Sequence, residues 1–263
     1  MEWLEATFYQ QGFAQFGDEQ FTALGLTEQQ LLDLKGIGTS ENTHVVTLQS
    51  AIAQAGIQPV QPCTYNFGFT DAKGMVATAA ILESVGVSAY LGAAPLVSDP
   101  SILGTAGSIL TVEARHQSFI RVASGIAASP SPFDTPLGPR AVFSLAAPFI
   151  ESCPEGSNLI LEAFPTLAVN DPAINAAGVN ALEAGTAVKF EGSEQTAQAQ
   201  FCGFTNSGAP GGTFFVPFTE AEGCALPDNL SGLVYVTLTS AQGEKGVITD
   251  DITLAGPLPL QLS

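Results

Sequence analysis

Residues 2–16 carry apolar side chains at helical spacing and reach a stop at Gly17. The pattern resumes over 27–34, where Thr27 offers an N-cap and Glu28 stands in the first turn. Gly36 and Gly38 predict a bend or an interruption, after which helical periodicity runs from Ser40 to Gly56. Residues 57–70 hold two prolines and several aromatics without a helical period, so an extended crossover is expected. A third helix is predicted over 71–92, rich in small residues that permit close packing, and Pro95 and Pro100 close the loop behind it. The fourth spans 101–127, with Ser101 or Thr105 as its cap. SPSPFDTPLGPR then packs four prolines into a dozen residues and reads as a linker, and AVFSLAAPFI follows as a short helix. From about Leu161 a period of two takes over, in short apolar runs separated by Gly, Pro, Asn and Asp.

Four helices with one long connection between the second and third have the layout of a ferritin-like four-helix bundle. Six or seven short strands in the remaining hundred or so residues predict a Greek-key β-sandwich of immunoglobulin-like type. The expected fold class is therefore α+β multidomain: a bundle over 1–128, a Pro-rich linker with a short helix over 129–160, and a β-sandwich over 161–263.

Apolar residues at 46% and charged ones at 12% argue for a globular chain. A formal charge of −18 without any basic cluster argues against nucleic acid and anionic membranes as partners. No run of 18 apolar residues predicts a transmembrane helix. Cys63, Cys153, Cys202 and Cys224 form no CxxC pair and lie far from both histidines, which speaks against a zinc-finger-like site. An even count in a lysine-poor chain reads as two disulfides and an oxidising, extracellular compartment. Of the three pairings, Cys63–Cys153 with Cys202–Cys224 keeps one bridge in each predicted domain. Asn229-Leu230-Ser231 is a glycosylation acceptor that fits secretion. Met1–Glu5 reads as mid-helix with nothing upstream to cap it, so a missing N-terminal segment is expected. No GxSxG and no Gly-rich phosphate loop occur, and with both histidines in the bundle no Ser-His-Asp triad is expected in the strands.

The chain has two histidines, and each follows a glutamate by three residues, in Glu41/His44 and Glu113/His116. On a helix that spacing puts both side chains on one face. Two metals bridged by carboxylates in a bundle need a Glu-x-x-His from each of two helices and a Glu from each of the others. Glu83 is the glutamate in the body of the third helix, and the first offers Glu2 or Glu5. Tyr9 follows Glu2 by seven residues as Tyr90 follows Glu83, nearly two turns on the same face. Glu5 lacks this symmetry, because position 86 beside Glu83 is glycine. Glu2 is therefore preferred as the ligand, with Glu5 as its alternative and both tyrosines placed near the site.

The order Glu…Tyr, Glu-x-x-His, Glu…Tyr, Glu-x-x-His resembles the ferritin-like di-iron superfamily. LEATFYQQGF, SENTHVVTLQSAI, CTYNF and VEARHQSFIR are more closely similar to secreted fungal ferritin-like-domain proteins, relatives of desiccation-related and stress-response proteins. The resemblance covers about residues 1–160. It implies a bundle with a dinuclear site for two Fe or two Mn ions; ligand types alone do not rule against zinc. Four glutamates gathered in a bundle interior would be costly without metal, since like charges force some to be protonated. The functional expectation is a redox role with O₂ or peroxide in stress protection, of oxidase, peroxidase or catalase type. The alternative is a structural or assembly-forming extracellular stress protein without turnover. Self-association into a homo-oligomer is left open.

Overall fold

The computed structural model describes all residues except 156, 158, 159, 172, 173, 175–181, 207, 208 and 263. These positions fall within the expected linker and sheet region, and expectations at them lie outside the described residues. The bundle consists of α1 (Glu2–Gln15), α3 (Glu28–Gln54), α4 (Ala72–Ala93) and α5 (Pro100–Ala123), with a short α2 (Asp18–Thr22) between the first two. Helix α1 packs chiefly on α3, and α4 on α5.

Helix α3 starts with a capping box, in which Thr27 Oγ1 accepts from the Gln30 amide and Gln30 Oε1 accepts from the Thr27 amide. It does not break at Gly36 or Gly38. A Cβ on Gly38 would stand 2.7 Å from that of Tyr9, so this glycine lets α1 and α3 approach closely rather than stopping the helix. Helix α5 is capped by Asp99, not by Ser101 or Thr105. The Asp99 carboxylate accepts from the amides of Ser101 and Ile102, and Pro100 sits where no amide is needed. Helix α4 is long and apolar enough to cross a membrane by length and composition alone, but most of that stretch is buried inside the molecule.

The crossover is anchored by strand β1 (Thr64–Tyr65), which pairs with β2 (Ile150–Ser152) beyond the short helix α6 (Pro139–Ala146). The Cys63–Cys153 disulfide joins the same two segments. Phe67 of the crossover packs edge-on against Phe8 of α1, within a core that includes Leu34 and Met75.

The C-terminal region has β3 (Ala187–Val188), the short α7 (Glu194–Gln198), β4 (Phe201–Thr205), β5 (Thr213–Pro217), β6 (Cys224–Ala225), β7 (Leu233–Thr239) and β8 (Thr253–Gln261). A four-stranded antiparallel sheet runs β5-β4-β7-β8, and β3 pairs with β6 beside it. The Cys202–Cys224 disulfide ties β4 to β6. Two disulfides are typical of extracellular proteins. Two full facing sheets of immunoglobulin-like type are absent among the described residues: residues 162–170 contribute one bridge, Val169 to Phe190, and β3 pairs over two residues. Prolines mark the limits, because each lacks a ladder donor. Pro165 interrupts the 162–170 segment, Pro217 ends edge strand β5, and Pro257 and Pro259 are tolerated in edge strand β8.

Strand β7 is buried on both faces. Val234, Val236 and Leu238 enter the core of the sheet region, while Leu233 and Tyr235 pack with Val85 of α4, Leu137 and Val142. Tyr235 Oη lies 2.9 Å from Ser88 Oγ, so the sheet rests directly on the helix that carries Glu83.

Candidate metal centre

Each predicted acid and imidazole comes from the inner face of its helix. Glu5, Glu41, Glu83 and Glu113 are fully buried, and Glu2, His44 and His116 are at most 8% exposed. The i,i+3 spacing sets His44 Nδ1 3.1 Å from Glu41 Oε2. The other contacts cross between helices: His44 Nδ1 lies 3.0 Å from Glu113 Oε1 and 3.2 Å from Glu2 Oε2. His116 Nδ1 lies 2.9 Å from Glu41 Oε1 and 3.3 Å from Glu83 Oε2. The two imidazole rings stand 6.1 Å apart with planes 28° from parallel.

Two overlapping groups result. Glu2, Glu41, His44 and Glu113 form one, and Glu41, Glu83, Glu113 and His116 the other; within each, ligand-type atoms lie within 4.8 Å of one another. Glu41 and Glu113 belong to both groups, as bridging carboxylates would. Glu2 and Glu83 each serve one.

The donor set fits metal by two observations. Ligands about 2.1 Å from one ion, at right angles, lie about 3 Å apart, which is the spacing seen here. Several of these contacts also have ion-pair distance without hydrogen-bond alignment. Among the described residues, Glu2 Oε2, Glu41 Oε1, Glu83 Oε2, both Glu113 oxygens and His116 Nδ1 have no hydrogen-bond partner. Buried polar atoms normally have one. Atoms that crowd together without pointing at each other point at shared centres.

The outer oxygens are held by the tyrosines, with their partners exchanged between helices. Tyr9 Oη of α1 donates to Glu83 Oε1 of α4, and Tyr90 Oη of α4 donates to Glu2 Oε1 of α1, each at 2.5 Å. Each tyrosine stands about two turns from the glutamate of its own helix and reaches across to the facing helix instead. Each terminal carboxylate is thus held by one oxygen while the other faces an imidazole.

Among themselves the side chains share protons unequally. Burial raises the Glu41 carboxyl, but the His116 and His44 imidazoles beside it outweigh burial and hold the group at about 2. Glu113 is met by His44 alone, and burial with its acidic neighbours takes it up to about 8. Burial lowers both imidazoles, yet the carboxylates around them prevail: His44 is pushed up to about 12 and His116 to about 9. Burial raises Glu83 and, more strongly, Glu5, whose acid neighbours add to it. Burial and the carboxylates they touch also raise Tyr9 and Tyr90.

Residues 1–125 match the family model of the ferritin-like domain. This part of the chain is a ferritin-like domain. Protein rds1 of Schizosaccharomyces pombe is 24% identical over 175 residues, which are 66% of this chain and 43% of that protein. The aligned stretch thus spans less than half of that relative. The ferritin-like domain accounts for the whole cluster, since Glu2 through His116 lie inside it.

Helical spacing could not foresee that Glu5 is fully buried near Glu113 while Glu2 keeps its place in the cluster. The signal that could have found it is the pair of glutamates one turn apart facing a glycine at position 86. Asn229, the predicted glycosylation acceptor, is exposed in a turn with φ of 66°.

Proposed function

We propose that the ferritin-like domain holds two Fe or two Mn ions, in a secreted protein that acts on O₂ or a peroxide during oxidative stress. The observation that carries this reading is the pair of four-residue groups sharing Glu41 and Glu113, with one imidazole nitrogen at each end. Two such ions would supply one-electron redox steps to a small oxidant. The protein's part is positional. Four carboxylates and two neutral imidazoles balance the charge of two divalent ions. Tyr9 and Tyr90 fix the outer oxygens of Glu83 and Glu2, so each inner oxygen keeps its aim. Exposure of at most 8% around the cluster favours a diatomic or a peroxide over a bulky substrate.

The test is elemental analysis of the full chain loaded with Fe(II) or Mn(II), followed by O₂-uptake and peroxide-consumption assays. Two ions per chain with turnover are expected. Glu113→Ala and His116→Ala should abolish both while the sheet region stays folded.

One observation favours a second reading, in which the ions only brace a structural stress protein. Tyr235 of the sheet region is anchored on Ser88, about one turn from Glu83, so a metal-stiffened α4 would also support the sheet. Full occupancy by Fe, Mn or Zn without turnover, together with self-association of the chain, would favour this reading and overturn the first.

A further inference from the structure

Glu5 is fully buried, and neither of its carboxylate oxygens has a hydrogen-bond partner among the described residues. It lies one turn along α1 from Glu2, on the same inward face. Its symmetry mate, three residues beyond Glu83 on α4, is Gly86. A Cβ at Gly86 would stand 2.9 Å from Glu5 Oε1 and 3.0 Å from Glu113 Oε2. The missing side chain is therefore a notch, and it admits the Glu5 carboxylate beside a residue shared by both groups.

The notch has a physical consequence. A carboxyl group with both oxygens buried and unpaired is costly to a fold, whether it is ionised or made to hold a proton. Packing gives no reason for it, since glutamine or leucine would fill the space with less desolvation. A cation gives one. Resting on the dinuclear reading above, we propose that Glu5 is a fifth carboxylate ligand of the metal pair, additional to Glu2, and that Gly86 is the notch that brings it into reach. The fifth charge also sets a preference among loaded states. Four carboxylates neutralise two divalent ions, whereas five neutralise one divalent and one trivalent ion. Glu5 thereby favours the more highly charged pair.

The probe is Co(II) titrated into the full chain after chelation, for wild type, Glu5→Gln, Glu5→Ala, Gly86→Ala and the Glu5→Ala/Gly86→Ala double variant. Stoichiometry, competitive affinity, the visible ligand-field spectrum and the melting temperature in chelator are read. Wild type should take up two ions per chain. Both Glu5 variants should still take up two, with at least one bound about tenfold or more weakly, since even losing an outer partner of a ligand costs that much. Their spectra should differ from wild type, and in chelator they should melt higher, because an unpaired buried carboxylate is gone. Gly86→Ala should also weaken binding, because its Cβ would crowd Glu5 and Glu113 together, and its effect should be smaller in the double variant, where the share that acts through Glu5 is gone. Unchanged Co(II) affinity and spectrum in both Glu5 variants, with two ions bound, would overturn the Glu5 assignment and leave the dinuclear reading standing. Fewer than two ions in wild type would overturn both.

Discussion

Glu41 and Glu113 occupy equivalent places on α3 and α5, yet they hold protons differently because two imidazoles face Glu41 and one faces Glu113. This has a measurable sign. His44, His116 and Glu113 bind protons more tightly folded than unfolded, the last two up to about 9 and about 8. For such groups the native state holds the extra proton between the unfolded and folded values, so stability falls as pH rises. In chelator, the melting temperature should therefore drop between about pH 6 and pH 9. Glu41, held at about 2, acts oppositely and loses its contribution only as pH falls below the usual carboxylate range. Metal loading must expel the imidazole protons, so it should release protons in weak buffer and weaken as pH falls. A flat chelator melt across this window would contradict the protonated-imidazole picture. Tyr9→Phe and Tyr90→Phe should each weaken metal binding by roughly ten- to a hundredfold, read by competition with a chelator. The ligand candidates were legible from sequence because two histidines at fixed spacing leave few arrangements. That Glu5 is buried in addition to Glu2 rather than in its place, and that the tyrosines exchange helices, was not legible, because both depend on which helix faces which.

At the scale of elements, glycine carried the ambiguity. In α3, Gly36 and Gly38 were read as a bend or an interruption, but the helix runs through both, and Gly38 lies against Tyr9 of α1. Gly38→Ala should push Tyr9 outward, cost about 1–3 kcal/mol in denaturant unfolding, and weaken metal binding through the Tyr9–Glu83 bond. An unchanged midpoint and affinity would mean that the close approach is dispensable. Helical starts show the same limit. Thr27 announced itself through a capping box, whereas Asp99 was passed over for hydroxyls further along, although it directly precedes Pro100. Asp99→Ala should cost about 1 kcal/mol. For the strands, period two marked where they lie but not how they pair. Pairing depends on which segments meet, and prolines confined the long ladders to four strands.

At the scale of the whole molecule, the Pro-rich segment suggested two bodies on a tether, but the bundle and the sheet share buried residues. Leu137 and Val142 from the connecting segment, Val85 from α4, and Leu233 and Tyr235 from β7 make one cluster. The Leu137 amide donates to the Ser88 carbonyl, and a Cβ on Gly92 would strike the Leu137 carbonyl, so the segment is pressed onto α4 rather than looped away from it. The Cys63–Cys153 bridge, between residues 90 apart in sequence, fastens the crossover to the end of this segment. Replacing that pair with serine should cost about 2–5 kcal/mol. A shared core also means that ions bound in the bundle should stabilise the sheet. Ions that bind only the folded chain add about 2.7 kcal/mol at a hundredfold excess over Kd. If unfolding is cooperative across the shared cluster, that increment should appear in both regions. Trp3, the single tryptophan, reports on α1, and amide hydrogen exchange of β7 reports on the sheet. Adding metal should raise the Trp3 melting midpoint and slow β7 exchange together. Tyr235→Phe, which removes the hydroxyl contact with Ser88, should begin to separate the two responses. If metal shifts Trp3 alone in the wild-type chain, the two regions unfold independently, and the buried contact between α4 and β7 carries no coupling.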